Sequence, residues 1–439
     1  MGLFAFMEDN IKQQIRLLID RLPAIEALVE LICQQQLEAW LVGGVLRDLV
    51  LQRSITDIDL ATMTDPTPLA KQWARQVGGR WFWLDQQRQQ SRVLLSNKLT
   101  VDFSPLRARS INEDLFLRDF TINSLAFPLH DNFTSATILN PLNTLNHLQQ
   151  KILQTCSRQS FSDDPLRMLK GVRHLVTLDL QIKDKTCKQM LEHAPLLERV
   201  AGERIRDELM KILSATNCFP GIELLLETGL LKTLFGPAAP SWNQSVALKK
   251  LQDLEQQMHL ADMTVSEQSN SAEIKVDSSQ KSLFLLAALL KCYQVENLTD
   301  LLHRRLRLSR QQQRLVLALQ KAPSADWFVW SSNVLSSRQQ ALLVEQLGEA
   351  SVEQLLYLAI CPNPLSYKRA LELLRSFNLH QQLGRIPDLL SGEKVHALLP
   401  GQPGQAVGLW QQQIKVAEIT GKITTRIDAC NLIKGQISI

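Results

Sequence analysis

Leu41-Val42-Gly43-Gly44-Val45-Leu46-Arg47-Asp48, followed by Thr56-Asp57-Ile58-Asp59-Leu60, decides the fold of this chain. The first stretch runs from an apolar strand, through a pair of glycines, into a helix. Paired glycines let the backbone approach a ligand closely, and the N–H groups at a helix start suit a phosphate. In the second stretch, residues two apart in a strand share a face, so Asp57 and Asp59 project together while Ile58 turns to the core. Carboxylates held that close repel one another unless a divalent cation lies between them. Phosphoryl transfer uses such a pair, with one ion activating the attacking hydroxyl and another neutralising the leaving pyrophosphate. A third carboxylate, Asp102, lies in the strand-like run Thr100-Val101-Asp102-Phe103, where burial without a cation is costly. Singly, a glycine turn, an exposed D-x-D and a strand-end Asp are ordinary structural features.

Outward from this segment the hydrophobic periodicity changes twice. An amphipathic stretch from Ile11 to Leu31 predicts one helix, and Trp40 to Val42 a short strand. Helices are expected over Val45 to Leu51 and near Pro68 to Val77. Strands are expected around Ile55 to Ala61, then at Arg80 to Leu84, Ser91 to Leu95 and Leu99 to Phe103. That alternation predicts a small sheet flanked by helices. Beyond about Lys151, leucine-rich segments of helical period continue almost to the end. The segment from Met263 to Ser282 is rich in Ser, Glu, Asn and Asp, and is expected to be a flexible insertion. The fold class is therefore α+β: an α/β head and a long helical remainder.

Composition narrows the setting. The 439 residues suffice for about three domains. With 45% hydrophobic and 21% charged residues, the chain has the make-up of an ordinary globular protein. A net charge of +4 permits a nucleic-acid partner without demanding one. The seven cysteines are scattered, with no C-x-x-C pair, which argues against a disulfide framework or structural zinc and fits a reducing cytosol. The opening apolar stretch meets Glu8 and Asp9 too soon for a signal peptide. The run Leu283 to Leu290 is too short to span a bilayer. The expectation is a soluble cytoplasmic protein, with no membrane and no obligate protein partner.

G-G-x-x-R-D, then D-x-D about a dozen residues later, then a strand Asp, resembles the DNA polymerase β superfamily. More closely, the chain is similar to the class II tRNA nucleotidyltransferase and bacterial poly(A) polymerase family. Leu117-Arg118-Asp119-Phe120-Thr121-Ile122-Asn123-Ser124-Leu125-Ala126 carries the likeness furthest, matching R-R-D-F-T-x-N-A-x-A except that Leu117 replaces the first Arg. The resemblance, which covers roughly residues 35 to 235, implies a polymerase-β-like head and a helical neck, body and tail. It implies Asp57, Asp59 and Asp102 as catalytic residues, with Asp57 and Asp59 holding Mg²⁺, expected as two ions. Gly43, Gly44 and Arg47 would meet the nucleotide, Arg118 would lie near its phosphates, and Asp119 and Asn123 would handle the ribose hydroxyls. The implied partners are tRNA lacking all or part of its CCA end, CTP, and possibly ATP. The expected divisions are a head at 1–155, a neck at 156–235, and a body and tail at 236–439.

A base reader is expected in Phe161-Ser162-Asp163-Asp164-Pro165-Leu166-Arg167. Ser162 or Asp163 is a candidate N-cap with Pro165 in the first turn, which would make Asp164 and Arg167 neighbours on one helix face. Such a pair is often only a surface ion pair. As a reader it has a defined polarity: the carboxylate accepts from an exocyclic amine, and the guanidinium donates to the adjacent ring nitrogen. Cytosine and adenine both offer donor then acceptor, whereas guanine and uracil offer the reverse. The segment matches the family's E-D-x-x-R, with Asp163 where Glu is usual. Lys170 stands in the place of a frequent second Arg, and Arg173 matches another. Glu203 to Leu213 resembles the family's fifth motif and is expected to buttress the neck. The basic run His303 to Arg310 suits either phosphate contact or a solvated helix face.

Two departures bear on the reaction. Leu139 to Leu148 lacks the acids and glycines of the family's D-P-x-G-G-x-x-D-L hinge. Between the Asp102 strand and Arg118, only Ala108-Arg109-Ser110-Ile111-Asn112 separates Arg107 from Glu113, where members that add all of CCA, or only the terminal A, carry a flexible loop. Members that add only CC lack that loop, so CC addition is the expectation. Full CCA addition, poly(A) synthesis and a catalytically inactive RNA-binding protein are the alternatives.

Overall fold

The computed structural model describes residues 2–129, 137–237, 252, 278–293, 295–321, 388–400, 404–419 and 422–435. Contacts divide the chain into two compact units, Met1–Leu234 and Phe235–Ile439. The expected head and neck fall together in the first, apart from its last residue.

The first unit opens with α1 (Gly2–Arg21) and α2 (Pro23–Gln34), where one helix from Ile11 to Leu31 was expected. Pro23 is the reason: it cannot donate to the preceding turn, and it pushes Leu22 out of helical geometry to φ −122°, ψ 89°. There follow β1 (Ala39–Val42), α3 (Gly44–Val50), β2 (Asp57–Thr62), α4 (Thr67–Val77), β3 (Arg80–Asp85), β4 (Gln90–Leu94), β5 (Thr100–Pro105), α5 (Ile111–Phe116) and β6 (Ala126–Pro128). The six strands form one mixed sheet in the order β3-β4-β5-β2-β1-β6, with only β2 and β5 parallel.

Strand alternation sorts the two faces. Ile58, Leu60, Val93, Val101 and Phe103 are buried on one side beneath α2 and α4. There the Trp73 ring lies 5.7 Å from that of Phe103, and its indole N–H donates to Ala24 O at 2.7 Å, tying α4 to α2. On the other face Trp40, Val42 and Ala61 pack under α5 through Ile111 and Leu115. That second cover is partial, and the carboxylates of β2 and β5 lie on the same face.

Beyond β6 come α6 (Thr144–Gln149), β7 (Ile152–Leu153), α7 (Ser160–Asp163), α8 (Arg167–Leu178), β8 (Gln181–Ile182), α9 (Asp184–His193), α10 (Gly202–Leu213) and α11 (Phe219–Glu227). Helices α10 and α11 pack on α8. Gly171 of α8 allows Phe120 to approach, since a Cβ there would lie 2.7 Å from Phe120 Cζ and Met190 Cε.

In the second unit the described residues include helices at Ser278–Tyr293, Arg310–Lys321, Gly392–Leu398, Gly404–Ile419 and Arg426–Ile433. Leu390, Val395, Ile414, Ala417 and Leu432 form a core of their own. Of the expected insertion, residues 263–277 lie outside the described residues, while 278–282 begin a helix. Within the basic run, Arg304 pairs with Asp300 at 3.0 Å. Among the described residues no helix is long and apolar enough to cross a membrane.

Candidate active site

The parallel register of β2 and β5 sets Asp59 opposite Asp102, and Asp57 opposite Thr100. Asp57 accepts from the Thr56 hydroxyl at 2.9 Å and from the Thr100 hydroxyl. Asp102 is gripped by Arg92 of β4, whose Nε and Nη2 donate to its two oxygens at 2.6 and 2.8 Å. The cost expected for burying Asp102 is thus met within the protein by a bidentate guanidinium. Asp59 has no such clamp among the described residues. Burial, then the charge of Asp102, raises its pKa from 3.8 to about 6, against the pull of Arg118.

Gly43 makes this crowding tolerable. Its φ of +77° is strained for other residues, and a Cβ would sit 3.0 Å from Asp59 Oδ2 and 3.2 Å from Arg118 Nη1. Arg118 Nη2 donates to Asp114 at 3.0 Å, and its buried Nε has no hydrogen-bond partner among the described residues. Asp114, itself buried, also receives Arg107 at 3.0 Å.

Behind the arginine runs a polar chain. Arg47 Nη1 donates to Asn123 Oδ1 at 2.7 Å, while Asn123 Nδ2 donates to Asp119 Oδ1 at 3.0 Å and faces His174 Nε2 at 3.5 Å. Arg47 and Asp119 fix which end of the amide is which, so His174 Nε2 faces a donor and must be unprotonated. Burial, then the charges of Arg173 and Arg47, pushes the His174 pKa well below 6.5 and keeps it neutral. Burial raises the Asp119 pKa, while Lys170 and the hydrogen bonds from Asn123 and the Phe120 N–H lower it.

The expected base-reading segment is built differently from its expectation. Helix α7 ends at Asp163, and Asp164 is extended at φ −146°, ψ 99° because Pro165 follows and excludes the helical region. Helix α8 begins only at Arg167, so neither Ser162 nor Asp163 caps it, and the two residues do not share a helix face. Asp164 instead accepts from Arg204 of α10 at 3.1 Å and from the Leu166 N–H at 3.3 Å. Arg167 is buried and tethered: Nη2 donates to Leu117 O at 3.0 Å, and Nη1 to Ser160 Oγ at 3.2 Å and Arg118 O at 3.4 Å. Arg173 turns to Glu208 at 2.7 Å, which joins α8 to α10.

The donor set fits Mg²⁺. That ion takes hard oxygen ligands and usually needs only one or two carboxylates besides substrate phosphates. Among the described residues no group of three or more His, Cys, Asp or Glu is assembled as a metal cage. Asp57 and Asp59, with Asp102 engaged by Arg92, supply the smaller set.

Comparison with known proteins finds two family models that match parts of the chain. Residues 39–154 match the family model described as "Poly A polymerase head domain", and residues 179–242 match that for "Probable RNA and SrmB- binding site of polymerase A". The CC-adding tRNA nucleotidyltransferase of Geobacter sulfurreducens is 32% identical, over 89% of this chain and 90% of its own. This chain belongs to the class II tRNA nucleotidyltransferase and poly(A) polymerase family. The CCA-adding enzyme of Enterococcus faecalis is 25% identical over the same shares of the two chains. The solved Thermotoga maritima CCA-adding enzyme complexed with tRNA superposes with a TM-score of 0.63 at 21% identity, covering 96% of this chain and 97% of that one.

The chain is thus an RNA nucleotidyltransferase of the CCA-adding family. Three residues that the structure brings to the candidate site escaped sequence reading. Arg92 gave no local signal, because its partner lies across a strand pair. His174 sits on an apolar helix face like any core residue. Arg204 was visible in the fifth motif but was read there as structural support.

Proposed function

We propose that the protein adds CMP residues to the 3′ end of tRNA in the cytoplasm, from CTP and without a nucleic-acid template, and stops after two. The observation that carries the reading is the meeting of Asp57, Asp59 and Asp102 with Arg118, Asp119 and Asn123 on one face of the sheet. In the reaction the terminal 3′ hydroxyl of the RNA attacks the α-phosphorus of the nucleotide. The new O–P bond forms as the bond to pyrophosphate breaks, and the hydroxyl proton is lost. Mg²⁺ held by Asp57 and Asp59, expected as two ions, would lower the hydroxyl's pKa and neutralise the leaving charge.

The chain's own residues supply position and charge. Arg118, whose Nε has no partner among the described residues, faces the phosphates beside Gly43 and Gly44. Asp119 and Asn123 receive the ribose hydroxyls, held by Arg47. Asp164 accepts the exocyclic amine of cytosine, and Arg167 donates to the ring nitrogen; guanine and uracil would set like against like. Lys170 and Arg173 complete the basic wall of α8. Stopping after CC is supported by the connection from β5 to α5, only residues 106–110, and by the likeness to the Geobacter enzyme. Residues 1–155 serve as head and 156–235, all but the last in the first unit, as neck.

The test supplies purified protein and Mg²⁺ with tRNA lacking its CCA end, and CTP and ATP singly or together. Two added nucleotides with CTP alone, and no third with ATP, are expected. A CCA end would overturn the CC assignment, and a long A tract would reassign the chain to poly(A) synthesis. Asp57→Ala is expected to abolish incorporation while leaving tRNA binding within about twofold.

A further inference from the structure

Two rows of side chains cross the open face of the sheet. Paired residues on adjacent strands share a face. The register therefore carries Asp59 to Asp102, Arg92 and Phe82, and carries Asp57 to Thr100, Leu94 and Arg80. Each row begins at the carboxylates and ends on β3, about 14 Å away at the usual strand spacing. The two faces of β3 differ. Trp81 and Trp83 turn the other way, with their rings 5.0 Å apart and Lys71 of α4 lying 4.5 Å from the Trp81 ring. Phe82 stays 41% exposed, and Arg80 is exposed beside it. Leu84, two residues on along β3, is exposed as well, so Phe82 belongs to an exposed apolar strip at the end of a catalytic row rather than standing alone.

The sheet order says which ligand. Gly43, Arg47, Asp119 and Asn123 lie on the β1 and β6 side of Asp59, where the nucleotide is proposed to bind. In-line transfer requires the attacking hydroxyl to arrive opposite the leaving pyrophosphate. The RNA end must therefore come from the β5, β4 and β3 side, over Arg92, Leu94, Arg80 and Phe82. Guanidinium groups interleaved with an aromatic ring suit single-stranded RNA, since the cations track phosphates and every base has a face to stack.

We propose that Phe82 and Arg80 of β3 form a docking platform for the single-stranded 3′ end of the RNA, behind the nucleotide that is extended. This rests on the nucleotidyl-transfer reading above. Phe82 stacks on a base upstream of the terminal hydroxyl, and Arg80 meets a neighbouring phosphate. A second protein chain seated on the same patch is the competing occupant.

The experiment is steady-state CMP incorporation with the full chain, varying RNA and CTP separately. Phe82→Ala is expected to raise KM for tRNA about thirtyfold, the middle of the range for loss of one stacked base. Arg80→Ala is expected to raise it severalfold, while KM for CTP stays within twofold in both. Phe82→Trp should restore the RNA KM, and circular dichroism should show all three folded. A benzoylphenylalanine placed at 82 should crosslink to the last few nucleotides of the RNA. An unchanged RNA KM in folded Phe82→Ala would overturn the platform, as would crosslinking to another copy of the chain or a change of oligomeric state alone. Failure of the wild-type protein to extend any RNA would instead overturn the functional reading beneath it.

Discussion

Asp59 is electrostatically strained in the proposed site. Its folded pKa of about 6 lies above the ordinary carboxylate value of 3.8, so the folded protein holds this proton more tightly than the unfolded chain. The group's contribution to stability is therefore greatest below about pH 4 and is lost as pH rises through about 6. At pH 7.5 without divalent ions, Asp59→Asn should stabilise the protein by up to about 3 kcal/mol, read by denaturant unfolding, while abolishing incorporation. Mg²⁺ should raise the melting temperature of the wild type and leave that of the variant unmoved. A destabilised variant, or one that keeps activity, would remove Asp59 from the metal site. At this scale Asp57 and Asp59 were legible because strand parity alone puts both carboxylates on one face, whereas Asp102 was legible through the family resemblance and joins them only through the β2–β5 register. Arg92 was not, because a guanidinium ten residues from its acid finds it only through the β4–β5 register.

Elements explain where the reading of helices failed. Pro23 and Pro165 each exclude helical geometry from the residue before them; Pro23 was passed over in favour of apolar period, and Pro165 was placed in the first turn of a helix that would have included Asp164. The consequence at Pro165 is the larger: Asp164 stands outside α8, and α10 rather than α8 supplies its arginine. Arg204→Ala should cost under about 1 kcal/mol of stability, since the pair is partly exposed. If Asp164 reads the base, the same change should alter KM for CTP severalfold and weaken discrimination against UTP, measured by competition. Gly171 is the tight point of α8. Gly171→Ala places a methyl 2.7 Å from Phe120 and Met190, and should cost about 1–3 kcal/mol. Because Phe120 follows Asp119, KM for CTP should rise with it. A variant with an unchanged melting temperature would show that the packing there is looser than described.

For the molecule as a whole, the first unit has its own core, built from α1, α2, α4 and the sheet. A fragment of residues 1–237 should therefore unfold in one cooperative transition and still bind CTP, seen by calorimetry. If the fragment is unfolded, the unit is not independent. Extension of tRNA by the full chain should fall steeply as salt rises, because contacts to phosphates release counterions. A flat dependence would argue that no basic surface engages the RNA.

The sequence by itself determined the α+β order of elements, the glycine turn, the carboxylate strand pair and the family, because these are local patterns of two to ten residues. Tertiary structure decided which charges pair. Arg92 with Asp102, Arg204 with Asp164, Arg47 and His174 with Asn123, and the exposed ring of Phe82 all depend on strand register and helix packing. Those contacts join residues that are far apart in the chain or on separate strands, where no periodicity marks them.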